Sequence, residues 1–218
     1  KPQVSTGQID TVKEVVPQRP REELQEAQEA AAQAAALVKQ LLAFSRTQKI
    51  KPKKIQLNKT ISQMIPMIRR IAGPDAQLQW HPGPEVREVL MDPVQLDQVI
   101  TNLCINSRDA LPEEGGMITI ATELYQADPV RRQEHPCFSR GTCTVITVTD
   151  TGSGMDAETA AHIFEPYFST RESSGGTGLG LATVYGIIKQ HGGVIEVTSA
   201  PLEGARFTIY LPPVIPGP

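Results

Sequence analysis

The stretch SSGGTGLGLATVYGIIKQHGG, residues 173–193, sets Gly175, Gly176, Gly178 and Gly180 directly before an apolar, helix-patterned segment. Glycine in that place costs conformational entropy, so the backbone there must be bare, sharply bent or closely approached. Two readings fit. The first turn of a helix leaves its N–H groups unpaired and carries partial positive charge, and glycines let a phosphate come close to it. A flexible loop leading into a helix would have the same composition. The stretch alone leaves both open.

Three neighbouring segments bear on the choice. MDPVQLDQVITNLCINSRDAL (91–111) opens with a helix start, in which Asp92 caps, Pro93 suits the first helical position and Gln95 completes a capping-box-like arrangement. Leu96, Val99, Ile100, Leu103 and Ala110 share one face, and Gln98, Asn102, Asn106 and Asp109 share another. Two asparagines one turn apart put carboxamide oxygens in a row, hard ligands that suit Mg²⁺ carrying a phosphate. An exposed polar face would read the same way. VTDTGSGM (148–155) ends a strand, where Asp150 can present a carboxylate to a cleft while Gly152 and Gly154 turn the backbone. A carboxylate only accepts hydrogen bonds and so fits an exocyclic amine such as adenine's; an ordinary turn is the alternative. IFEPYFSTR (163–171) spaces Phe164 and Phe168 four apart around Pro166. That pattern suits a lid with an aromatic anchor, or a loop with a buried phenylalanine.

Composition narrows the function classes. A net charge of −3 over 218 residues gives no electrostatic footprint for nucleic acid or an acidic membrane. No apolar run has the length of a membrane span, and no signal-peptide pattern opens the chain. Lys1 is not an initiator methionine, so a fragment or a processed chain is expected. The three cysteines, Cys104, Cys137 and Cys143, are odd in number, and near His135 they lack the paired spacing of a zinc site. Reduced thiols in a cytoplasmic protein are the expectation.

Along the chain, Pro17 and Pro20 break any helix across the first twenty residues. Residues 21–46 show heptad spacing, with Leu24, Ala31, Val38 and Ser45 in one series and Ala27, Ala34 and Leu41 in the other. Such a helix needs a partner helix, or lies on its own domain. Residues 47–58 read as a basic linker into a short strand, and a helix follows from about Lys59 to Ile71. Strands are expected at 77–81, 87–91, 117–124, 142–150, 194–199 and 205–212, mostly in antiparallel pairs, with a polar connection lacking obvious structure between 125 and 141. The sum is an α+β fold, helices layered on a sheet after a helical N-terminal piece.

The order of these signals is more specific than any one of them. An Asn-x-x-x-Asn helix, D-x-G-x-G, F-x-x-x-F and G-x-G-x-G in succession resemble the four nucleotide-binding boxes of the GHKL ATPase fold. The variants LLAFSR, DQVITNLCINSRDAL, IFEPYFSTR and GGTGLGLATVYGIIKQHGG look specifically like sensor histidine kinases of two-component systems. The resemblance covers roughly residues 21–212. It implies a two-layer α/β sandwich of the Bergerat type preceded by a partial helical hairpin. The domains would be dimerisation and phosphotransfer helices at 1–50, a catalytic ATP-binding domain at 51–212 and a loose tail at 213–218. By resemblance, Asn106 is the Mg²⁺ ligand and Asn102 a phosphate or metal-water contact. Asp150 reads adenine, with Gly152 and Gly154 shaping that end. Phe164 and Phe168 tether a lid running roughly from Met155 to Gly180. Gly176, Gly178 and Gly180 bring the triphosphate of ATP to the helix beginning near Leu179, with Arg171 and Thr177 as further phosphate contacts.

Two departures qualify the resemblance. ATP-hydrolysing relatives carry a water-activating glutamate four residues before the first box asparagine; here that position is Gln98, which is no base. Asp97, one residue off, points about 100° around the helix. The family's phosphoacceptor histidine lies on the first hairpin helix, yet His81, His135, His162 and His191 all lie beyond the hairpin. If STGQIDTVKEVV (5–16) ends that first helix, the acceptor would precede Lys1. The implied function is transfer of the ATP γ-phosphoryl to a histidine and then to an aspartate of a response-regulator receiver domain, in a homodimer formed through the hairpin. A nucleotide-sensing adaptor or pseudokinase and a hydrolysing GHKL ATPase are the alternatives. No nucleic-acid partner and no membrane contact are expected of this chain, although a parent protein could be membrane-anchored.

Overall fold

A computed structural model describes residues 51–170 and 177–214. The hairpin expected at 1–50, together with Arg171 and Gly176, lies outside the described residues.

Strand β5 (Thr142–Asp150) shows how the sheet is built. Its side chains alternate, so Ile146 and Val148 point to one face and Cys143 and Val145 to the other. The first face carries the main core, shared with Ile118 and Ile120 of β4 (Gly116–Gln126) and with Phe207, Ile209 and Leu211 of β7 (Ala205–Leu211). Over it lie α1 (Leu57–Ala72), α2 (Pro93–Ala110) and α5 (Gly180–Gln190), with α2 packed against both others. The sheet is completed by β2 (Ala76–His81) and β6 (Val194–Ser199), in the order β2–β4–β5–β7–β6. β4, β5, β7 and β6 pair antiparallel, whereas β2 pairs parallel to β4, with Leu78 opposite Ile118. A parallel neighbour needs a crossover, and α2 lies within the connection that supplies it. A two-stranded ribbon of β1 (Lys53–Ile55) and β3 (Val89–Met91) stands apart from this sheet.

Several local features differ from the sequence expectation. Helix α1 begins at Leu57, two residues early, because Leu57 is itself buried in the core. Asp92 does cap α2, accepting from the Val94 N–H at 3.0 Å, but Gln95 does not close a capping box. Its side chain instead donates to Gln190 Oε1 of α5 at 3.1 Å. The connection expected to lack structure folds as α3 (Arg131–Glu134) and a 3₁₀ turn (Pro136–Phe138). It carries Cys137 and Phe138 onto the second face of the sheet, against Cys143, Val145 and Tyr210. After β7, Pro213 bridges Val89 and the Val214 N–H donates to the Glu88 carbonyl at 2.7 Å, so the first two residues of the expected loose tail are tied down.

Candidate functional site

Asp150 is the last residue of β5, and alternation turns it to the helix-bearing face beside Val148. It is only 3% exposed. A charge so buried needs hydrogen-bond donors, and three are in place. Gly152 N–H and Ala205 N–H donate to Oδ1 at 2.9 and 3.3 Å, and the Ser107 hydroxyl donates to Oδ2 at 3.0 Å. Ser107 was not among the expected site residues. Its signal is legible in retrospect, since it continues the apolar row Leu96, Ile100, Leu103 as the one polar member.

The turn after Asp150 docks on the C-terminal end of α2. Ser153 N–H donates to the Ala110 carbonyl at 2.9 Å, and a Cβ on Gly152 would lie 2.6 Å from that same oxygen. Gly154 has φ +64° and would drive any Cβ into the Ala200 carbonyl, so both constraints demand glycine there.

One and two turns back along α2, at Asn106 and Asn102, its polar face meets the start of α5. Asn102 Nδ2 donates to the Gly180 carbonyl at 3.3 Å, and a Cβ at Gly180 would stand 3.9 Å from Asn106 Nδ2. That Asn106 nitrogen is buried and has no hydrogen-bond partner among the described residues. Leu179 caps α5 without a side-chain hydrogen bond, and its carbonyl accepts from both the backbone and the hydroxyl of Thr183. Thr177 precedes this start, half-buried. Gly178 adopts φ +63°, and its carbonyl accepts from the Tyr167 N–H at 3.0 Å. Tyr167 is itself left-handed, at φ +68°. The two helices run antiparallel and are pinned at their far ends, where the Asp92 N–H donates to His191 Nε2 at 3.2 Å.

The two phenylalanines make their ring contacts with different elements. Phe164 lies against the Tyr185 ring of α5, centroids 5.4 Å apart. Phe168 lies 5.9 Å from the His162 ring of α4 (Ala157–His162). Both are partly buried against the main core. Of the expected site residues, the structure thus gathers Asn102, Asn106 and Gly180 at one end and Asp150, Gly152 and Gly154 at the other. Gly178 and Leu179 enter from the loop ahead of α5. Gln98 is half-buried on α2 and Asp97 exposed.

Residues 91–215, more than half of the chain, match the family model described as Histidine kinase-, DNA gyrase B-, and HSP90-like ATPase. The chain belongs to this family. Within it, the chain is 41% identical over 182 residues to Sensor kinase CckA of Brucella abortus (strain 2308), covering 84% of this chain and 19% of that protein. It is 37% identical over 177 residues to Sensor histidine kinase ZraS of Klebsiella oxytoca, covering 81% of this chain and 35% of the relative. The chain therefore spans about a fifth to a third of the length of these curated relatives. The solved structure of full-length ShkA in complex with AMPPNP shares the fold, with TM-score 0.70 and 21% identity, covering 91% of this chain and 40% of that one. The nucleotide-free catalytic domain of histidine kinase ThkA superposes with TM-score 0.56 at 25% identity, covering 75% and 96%. The chain thus carries an ATP-binding catalytic domain of the sensor-histidine-kinase type.

Proposed function

We propose that this domain binds Mg·ATP between Asp150 and the start of α5, and that the protein it belongs to transfers the γ-phosphoryl to a histidine and onward to a receiver-domain aspartate. The observation that carries the site is the Asn106 carboxamide. It is held against Gly180 with a buried polar atom that no described residue satisfies. A half-turn of the amide brings its oxygen to that position, a hard ligand of the kind Mg²⁺ takes. Bound there, the ion would neutralise charge on the phosphates. The chain's own residues do the rest. Asp150 accepts from the adenine amine, and Asn102 orients the phosphate end through its bond to Gly180. Gly178 and the first turn of α5 present backbone N–H groups to the phosphates. Phe164 fixes one root of the lid on α5, and Arg171, Thr177 and Gly176 are further phosphate contacts. Gln98 cannot accept a proton from water, which favours phosphoryl transfer over hydrolysis. Homodimerisation through the helical hairpin, whose second helix would be the one at 21–46, and docking of a receiver domain complete the reading. No described helix is long and apolar enough to cross a membrane.

Asn106→Ala tests the site. Expected is a loss of Mg·ADP affinity of roughly tenfold or more, about 1.4 kcal/mol, with adenosine binding unchanged. Equal losses for both ligands in calorimetric titration would make Asn106 a structural residue.

A further inference from the structure

The second face of the sheet holds two thiols that the nucleotide site does not use. Cys143 lies in β5 and Cys137 sits above it in the 3₁₀ turn, their sulfurs 3.6 Å apart. Cys143 Sγ also donates to the Cys137 carbonyl at 3.1 Å, and Cys137 Sγ reaches the Tyr210 carbonyl at 3.6 Å. An approach of about 1.5 Å would bring the sulfurs to bonding distance.

The surroundings are polarised. The Arg131 guanidinium stacks over Phe138 and Tyr210, 4.8 and 5.3 Å from their centroids, and pairs with Glu196 at 2.6 Å. The Cys137 thiol, by hydrogen bonding, and then the Arg131 charge hold the Cys143 thiol below its usual value. The same hydrogen bond and burial push Cys137 up. Cys104, inside α2, is pushed up to about 12 by burial. His135 is engaged otherwise, its Nδ1 accepting from the Cys137 N–H at 3.1 Å, and no metal-holding group of His, Cys, Asp or Glu exists among the described residues. Both sulfurs are buried in the small second-face cluster with Phe138 and Tyr210, and the segment that carries Cys137 over the sheet is α3 and the 3₁₀ turn. Arg132, Gln133, Glu134, Pro136 and Ser139 there are exposed. Opening of this short surface segment, without disturbing the main core, admits a small oxidant.

We infer that Cys137 and Cys143 form a reversible intramolecular disulfide when a peroxide oxidises the chain. The Cys143 thiolate attacks a peroxide oxygen, the O–O bond breaks, and hydroxide leaves to take up the proton released by the thiol. Cys137 sulfur then attacks the resulting sulfenic acid, and its hydroxyl departs as water with the Cys137 proton. Two thiols are oxidised, and the peroxide is reduced to two waters. The bond forms at the opposite end of β5 from Asp150, seven residues or roughly 23 Å away. It ties the β4–β5 connection to the sheet without entering the nucleotide site.

The test treats the whole chain, natively folded, with hydrogen peroxide, blocks remaining thiols and digests with trypsin without reduction. Cleavage at Arg132, Arg140 and Arg171 places Cys137 in peptide 133–140 and Cys143 in peptide 141–171, while Cys104 falls in 88–108. The expected result is one linked pair within a single chain, 133–140 with 141–171, which dithiothreitol returns to two free thiols while Cys104 stays blocked. In Cys137→Ser, dimedone labels Cys143; in Cys143→Ser, it leaves Cys137 unlabelled. Links through Cys104, disulfide dimers, over-oxidation of Cys143 without a link, or three unreacted thiols under peroxide that fully oxidises free cysteine would each overturn the inference.

Discussion

Replacing Asp150 by asparagine separates recognition of the base from integrity of the fold. Truncation to alanine would leave three buried donors, on Gly152, Ala205 and Ser107, without their acceptor. At about 1–3 kcal/mol each, that loss could unfold the domain and hide any effect on binding. Asparagine keeps the shape and one acceptor. Its oxygen can still take the two backbone N–H groups, and the Ser107 hydroxyl can rotate to accept from the new NH₂. Stability should therefore change by only about 1 kcal/mol. The adenine amine fares differently, because a donor now faces a donor and a charge-assisted bond of about 1.5–3 kcal/mol is lost. ADP and adenosine should weaken by the same factor, roughly ten- to a hundredfold. Inosine diphosphate, which carries a carbonyl oxygen in place of the amine, should gain relative to ADP. Calorimetric titration of the three ligands, with urea midpoints as a check on folding, reads all of this. A folded Asp150→Asn chain that binds ADP within about twofold of the parent would remove Asp150 from the adenine contact.

Three further outcomes follow from other parts of the structure. Gly178→Ala meets both the φ +63° requirement and the Tyr167 backbone, so Mg·ADP affinity should drop about tenfold with adenosine binding intact; equal binding of Mg·ADP refutes it. Asp92 is held below the usual carboxylate value, chiefly by the Lys51 N–H, with Val94 N–H and His191 assisting against the cost of burial. A depressed folded-state value stabilises above the unfolded pKa, and the benefit is lost as pH falls through the folded one. Asp92→Asn should accordingly lower the urea midpoint at pH 7, with the gap closing as the pH falls below the ordinary carboxylate range; a gap constant with pH would refute the cause. Finally, none of His81, His135, His162 and His191 lies on the predicted hairpin, so γ-labelled ATP should leave no acid-labile label on this chain, and stoichiometric label would refute that.

What the sequence disclosed depended on how local the cause was. The period-2 run of β5 and the two faces of α2 are fixed by neighbouring residues, and both appear where the pattern put them. Asp92 as a cap and Gly178 at the head of α5 are equally local. Long-range pairing was not legible. Gln95 abandons its own helix start for Gln190, because α5 happens to run antiparallel beside it, 95 residues away. Ser107 looks like a stray polar residue until the Asp150 carboxylate arrives opposite it. The parallel β2 edge and the buried Cys137–Phe138 cap were missed for the same reason, since each depends on which surface another strand leaves bare.

The close quarters around the turn after Asp150 constrain how the protein could evade an inhibitor. The space a side chain would need at Gly152 is taken by the Ala110 carbonyl, and at Gly154 by that of Ala200. If the base binds here as proposed, a purine-shaped inhibitor would press against two positions where a bulkier residue disrupts folding before it excludes the drug. Gly180 is different, because an added methyl there meets Asn106 only at ordinary contact distance, 3.9 Å. If ATP lies as proposed, Gly180 at its phosphate end tolerates substitution more readily than Gly152 or Gly154.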